Sequence, residues 1–103
     1  MASNVSARKI PISLTAENTF SNWVPLYGDG MLILSGTFVA TGKLQISRDE
    51  STIYDVTDNS GLVKAFTAGG TYTFSIPSRG FKVRFGIATG SYTSGTVIGE
   101  ISQ

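Results

Sequence analysis

Neither cysteine nor histidine occurs among the 103 residues, and the two absences remove much of catalytic chemistry at once. Without cysteine there is no disulfide framework and no thiolate metal site. Without histidine the commonest general base, the commonest transition-metal ligand and the usual near-neutral pH switch are missing. Triads built on Ser-His or Cys-His are excluded outright. Charge is scarce as well: 15% of the residues carry it, against roughly 25% in ordinary soluble domains. Eight basic and seven acidic side chains leave a net charge of +1, which gives no electrostatic ground for binding nucleic acid. Ser, Thr, Asn and Gly must wet most of the surface, and a surface of that kind can also be hidden against other subunits. Long apolar runs are missing too. Met31-Leu32-Ile33-Leu34 is far short of the ~20 residues of a membrane helix, so no membrane partner is expected. The opening MASNVSARKIPISL lacks the apolar core of a secretory signal. It reads as a polar, flexible arm over residues 1–9, ahead of one domain over 10–103.

The residues that are present have a period of two. In Phe81-Lys82-Val83-Arg84-Phe85-Gly86-Ile87 four apolar residues alternate with Lys82, Arg84 and Gly86, the mark of a strand with one buried face. Tyr72, Phe74 and Ile76 alternate in the same way within 71–76, and Leu44 and Ile46 do so within 42–47. The last segment, 96–102, sets Val97, Gly99 and Ile101 on one face, with Ile98 and Glu100 on the other. Met31 to Val39 is richer and less alternating, as expected of a central strand covered on both faces. Weaker strands are predicted over 10–14, 19–24, 52–56 and 62–67. Turn chemistry separates nearly all of them, as at Tyr27-Gly28-Asp29-Gly30, Asp58-Asn59-Ser60-Gly61 and Pro77-Ser78-Arg79-Gly80. No window keeps helical spacing over three turns. Eight or nine short strands therefore predict an all-β chain, an antiparallel β-sandwich of jelly-roll or immunoglobulin type.

Four features invite a chemical reading. GSYTSGTV, 90–97, is close to a phosphate-binding loop, but Thr96 stands where the lysine belongs, and the residues after it alternate like a strand instead of opening a helix. It is expected to be a hairpin turn with Tyr92 at an exposed tip, and no cofactor is expected. Ser47-Arg48-Asp49-Glu50 and Asp55-Val56-Thr57-Asp58-Asn59 hold enough carboxylate for general acid–base work or for calcium. Their spacing fits no calcium loop, and turn capping accounts for them. Lys82 and Arg84 share the polar face of one strand, with Arg79 in the turn before it and Lys64 as a further candidate. They form either a basic patch for an acidic partner or a set of cross-strand pairs, for instance with Glu100. Trp23, Tyr27, Tyr54 and Tyr92 fall at strand ends or turns, where exposed rings could stack on sugars or anchor a protein interface. Trp23 is equally suited to burial in a sandwich.

Three segments together resemble the small β-sandwich structural proteins of tailed bacteriophages. Leu34-Ser35-Gly36-Thr37-Phe38 is similar to an early SG-x-F strand of that family. Leu44-Gln45-Ile46-Ser47-Arg48-Asp49, running on through Thr52 to Tyr54-Asp55-Val56, is similar to a second element. Gly90 to Val97 with Ile101-Ser102-Gln103 resembles the terminal hairpin. The likeness spans roughly residues 30 to 103 and departs from the pattern in two places. Glu50 stands where family members often carry glycine, which is expected to lengthen that turn, and Val83-Arg84-Phe85 stands where a Tyr-Arg pair is usual. The resemblance implies a virion component without enzymatic activity. The first role it suggests is a capsid decoration (cement) protein that contacts the major capsid protein and copies of itself. The alternative is a small tail, fibre or head-tail component that binds a host-surface glycan or receptor.

Overall fold

The computed structural model describes residues 9–58, 60–76 and 78–103. The predicted arm lies outside these, apart from Lys9, which is the first residue of β1. Nine strands succeed one another: β1 (Lys9–Leu14), β2 (Thr19–Phe20), β3 (Val24–Pro25), β4 (Gly28–Ser35), β5 (Phe38–Ser47), β6 (Ile53–Asp55), β7 (Gly70–Ile76), β8 (Lys82–Gly95) and β9 (Val97–Ser102). They form two antiparallel sheets. One runs β1-β9-β4-β7; the other runs β2-β8-β5-β6, with β3 also pairing β8. Taking β2 and β3 as two pieces of one interrupted strand gives eight strands in two Greek keys. That is a jelly roll, and the strand order decides for it over the immunoglobulin arrangement.

Alternation puts one residue set inside. Ile12 and Leu14 of β1, Leu32 and Leu34 of β4, Phe74 and Ile76 of β7 and Val97 and Ile101 of β9 share a single core with Leu44 of β5 and Val83, Phe85 and Ile87 of β8. Each such side chain, fully removed from water, contributes about 1.5–3 kcal/mol before the entropy of ordering is counted. Phe66, outside any strand, closes one side of this core with its ring edge-on to Tyr72 at 4.9 Å.

The structure differs from the sequence pattern in several places. Tyr27-Gly28-Asp29-Gly30 is no turn: β4 begins at Gly28 and pairs Gly28, Asp29 and Gly30 with Ile76, Ser75 and Phe74, and the glycine at 30 leaves room for the Phe74 ring. Met31 to Val39 is two strands: β4 ends at Ser35, and the chain crosses to the other sheet at Gly36-Thr37 before β5 begins. The expected strand over 62–67 makes only isolated bridges, with Phe66 exchanging two backbone hydrogen bonds of 2.9 Å with Gly42. GSYTSGTV is no hairpin, because Gly90 to Gly95 continues β8. Between the pairs Gly42↔Ile87 and Ala40↔Tyr92, β8 holds Ala88 to Ser91 against the single Thr41 of β5, so the strand bulges and then resumes. The reversal comes only at Gly95-Thr96, where the chain returns to the first sheet. That corner meets the Gly36-Thr37 corner backbone to backbone, and the Thr96 amide donates to the Thr37 carbonyl over 2.9 Å.

Candidate functional site

The outer face of β8 and the strand ends beside it gather five of the seven residues singled out in the sequence. β8 turns Val83, Phe85 and Ile87 into the core, so Lys82, Arg84 and Gly86 must face outward. Phe20 of β2 pairs with Gly86, and its ring lies where a side chain at 86 would stand: a Cβ there would fall 1.8 Å from Phe20 Cδ1. The glycine thus lets the ring reach Arg84, whose guanidinium carbon lies 4.0 Å from the Phe20 ring centre and 4.5 Å from that of Trp23. Burial lowers the Arg84 pKa, and the Glu50 carboxylate acts in the opposite sense.

Two further arginine–aromatic pairs continue the strip toward one end of the sandwich. Arg48 lies over Phe81 at 4.2 Å and donates through Nη1 to the Arg79 carbonyl over 3.0 Å. Arg79 in turn lies over Tyr27 at 4.4 Å. Between these pairs and Arg84, Lys82 Nζ donates to Glu50 Oε2 over 2.6 Å. Pro25, Tyr27, Arg79, Phe81, Lys82 and Gln103 are among the residues around a shallow cleft of ≈ 410 Å³ at this end. Gln103 holds its rim by donating to the carbonyls of Tyr27 and Asp29. Among the described residues, Lys82 is the one cation of the strip with a carboxylate within 4 Å; Arg48, Arg79 and Arg84 have none.

A polar row crosses the same face from Arg84. Arg84 Nε donates to Gln45 Oε1 (2.9 Å), Gln45 Nε2 donates to Asp55 Oδ1 (2.9 Å), and Lys43 Nζ reaches both oxygens of Asp55 at 3.1 and 3.2 Å. Burial raises the Asp55 pKa, but the hydrogen bonds from Gln45 and Lys43 and the charge of Lys43 outweigh it, so the net shift is downward. The row holds Gln45, itself buried, in one orientation and so steadies Arg84 from the side opposite the rings.

The remaining sequence candidates lie apart. Tyr54 is exposed on β6 at the far edge of the sheet. Tyr92 is half-buried against the core, and its hydroxyl donates to the Gly95 carbonyl over 2.8 Å, so it stands at no exposed tip. Glu100 pairs with Lys9 on the opposite sheet instead of with Lys82 or Arg84. Lys64 sits beyond β6, bonded to Val56, away from the strip. The carboxylates considered for calcium are engaged locally. Asp49 accepts from the amides of Thr52 and Ser51, which lower its pKa, and Asp58 accepts from those of Ser60 and Leu62. Asn59 lies outside the described residues. The phosphate-loop likeness has no helix after it, since the next element is β9.

The chain matches no protein-family profile, no curated protein and no solved structure. Function must therefore be argued from the strip itself. Sequence reasoning missed Phe20, Arg48 and Gln45 as its members; Phe81, read as an inward residue, does pack against the core and also carries Arg48 on its ring. One signal was present: Gly86 interrupts the polar face of an otherwise full strand, and glycine in a strand marks a close approach by another group.

Proposed function

We propose that this chain is a non-enzymatic virion structural protein of the tailed-bacteriophage kind, a capsid decoration (cement) protein that docks on capsid subunits and associates with copies of itself. The observation that carries the reading is the strip in which Arg84, Arg48 and Arg79 each lie against aromatic rings with no carboxylate within 4 Å among the described residues. Arginine and large aromatic residues are enriched at the centres of protein interfaces, and pre-stacked guanidinium groups lose little entropy on meeting a partner's carboxylates. The major capsid protein is the partner that the phage resemblance supplies, and an acidic strip on it is what this surface fits. Jelly rolls serve in capsids and in lectins alike, so the fold alone does not choose between the roles.

The test uses expanded capsids of the phage or prophage whose genome encodes the chain. Added protein is expected to bind them, to raise their melting temperature and to bind less as salt rises. The double variant Arg79→Ala/Tyr27→Ala is expected to weaken binding at least tenfold while keeping its own melting curve. If the purified chain neither binds expanded capsids nor raises their melting temperature, the reading is lost.

The cleft beside Tyr27 favours a second reading, a tail- or fibre-borne module for a host-surface glycan. Tyr27 is 47% exposed there, with Arg79 and Gln103 as polar neighbours. A ring of that kind can stack on a sugar. A glycan array with no binder, or host adsorption unchanged in Tyr27→Ala, removes this reading.

A further inference from the structure

Four sides end the two sheets, and three of them are poorly suited to further pairing. β1 begins with Lys9 and carries Pro11, which has no N–H to offer. The β2–β3 side is two pieces of two residues, the second ending in Pro25, and β6 has three residues and ends in Asp55. β7 is different. It runs seven residues, Gly-Thr-Tyr-Thr-Phe-Ser-Ile, with no proline and no charge, and most of its residues are β-branched or aromatic. In an antiparallel ladder alternate residues of an edge strand turn N–H and C=O away from their neighbour. Beyond β4, β7 has no backbone partner among the described residues. A groove of ≈ 520 Å³ lies along it, with Thr71, Tyr72 and Thr73 on one side and Val63, Lys64 and Phe66 on the other. Val63 on that groove is 46% exposed, and Leu62, next to it in the chain, is 66% exposed.

We propose that β7 is a self-pairing edge: two copies of the chain join β7 to β7, antiparallel about a two-fold axis, and fuse their four-stranded sheets into one of eight strands. What the edge leaves unmet is a row of backbone donors and acceptors, and an extended strand is the partner that meets them in register. Two features select a second copy. An antiparallel strand is complementary to itself about a two-fold axis, so one surface supplies both halves of the contact. Centred on Thr73, the midpoint of the strand, the pairing sets Thr71 opposite Ser75 and Tyr72 opposite Phe74. Threonine and serine then meet on the outer face and two aromatic rings meet on the inner, with no like charges to repel. The same contact brings a strand over the groove beside Val63. The inference deepens the self-association within the proposed function and rests on that reading there alone, since pairing through β7 requires no capsid.

Because the chain has no cysteine, introduced thiols report position cleanly. Sedimentation equilibrium of the full chain is expected to give twice the 10.9 kDa of one copy. Thr73→Cys is expected to oxidise to a disulfide dimer, since directly opposed residues of an antiparallel pair lie about 4.5–5.5 Å apart at Cα, within disulfide reach. Ser13→Cys, on the exposed face of β1, is expected to stay unlinked under the same conditions. Thr73→Lys, which sets two lysines across the axis, is expected to raise the dimer dissociation constant at least tenfold with an unchanged circular dichroism spectrum. A chain that stays monomeric up to about 1 mM overturns the inference. So does a dimer that survives Thr73→Lys and crosslinks through Ser13→Cys. Capsid binding by a wild-type chain that forms no β7 dimer sinks this inference and leaves the virion reading standing; a β7 dimer that ignores capsids does the reverse.

Discussion

Arg84 is held on three sides, by two aromatic rings and by Gln45, and the chain of partners behind Gln45 ends at Asp55 and Lys43. Cation–aromatic contacts contribute roughly 0.5–1 kcal/mol when exposed and about 2 when dry, so the stack is as much a positioning device as a source of stability. Asp55 is the titratable end of the row. Its folded pKa lies below the ordinary aspartate value. Its stabilising contribution is therefore complete above the unfolded pKa and is lost as pH falls through the folded one. Asp55→Asn is expected to lose about 1 kcal/mol at pH 7, and the gap to wild type should close in urea titrations carried down through the acid range below the folded pKa. A gap that stays constant with pH would mean that the carboxylate's charge contributes nothing. The face of Lys82 and Arg84 is legible from alternation, but their partners are not. Glu50 lies 32 residues from Lys82 and Gln45 lies 39 from Arg84, and no local pattern records contacts of that range. Nor does Glu50 simply lengthen its turn, as its replacement of glycine suggests. It adopts the left-handed φ of 65° that glycine would take more easily, and its carboxylate reaches Lys82.

At the scale of elements, the bulge in β8 explains why GSYTSGTV reads as a loop. The apolar–polar alternation of 81–87 loses its phase across Ala88 to Ser91, where extra residues stand against one of β5, and a pattern of period two cannot be traced through such a gap. The two glycines of the stretch have different duties. Gly90 has a φ of +85° and nothing near its missing Cβ, and its amide donates to Glu17 Oε1 over 2.8 Å. Gly95, at φ +92°, would place a Cβ 2.1 Å from the Thr37 carbonyl oxygen and 2.6 Å from Phe38 Cα. One corner of the jelly roll depends on that close approach. Gly90→Ala is expected to cost about 1 kcal/mol, the penalty of the left-handed backbone alone. Gly95→Ala adds a collision with backbone that cannot rotate away, for a loss on the order of 3 kcal/mol or more. Chemical denaturation of the two variants side by side decides the matter. Equal losses would show that the corner has room and that its glycine serves conformation only.

For the whole molecule, the β-sandwich class is legible because alternation and turn residues are local, whereas the strand order is not, because almost every pairing is remote in sequence. β5 and β6 are the one consecutive pair joined within a sheet among the described residues; β1 pairs with β9, β4 with β7 and β9, and β8 with β2, β3 and β5. Closing such contacts costs loop entropy before any apolar burial offsets it, so folding is expected to take milliseconds to seconds. The single tryptophan makes the arrangement testable at the strip. Trp23 reports on the edge where β2 and β3 dock on β8, while far-UV circular dichroism reports on all strands. If the strip is an integral part of the sandwich, the two signals coincide through a urea transition and refolding is a single exponential by both. Trp23 fluorescence that changes at lower urea than the dichroism would mean that the β2–β3 edge opens separately, and with it the stack that holds Arg84. Removing 97–103 is expected to prevent folding altogether. It takes out the strand between β1 and β4, strips Val97 and Ile101 from the core, and leaves β1 without a backbone partner in its sheet.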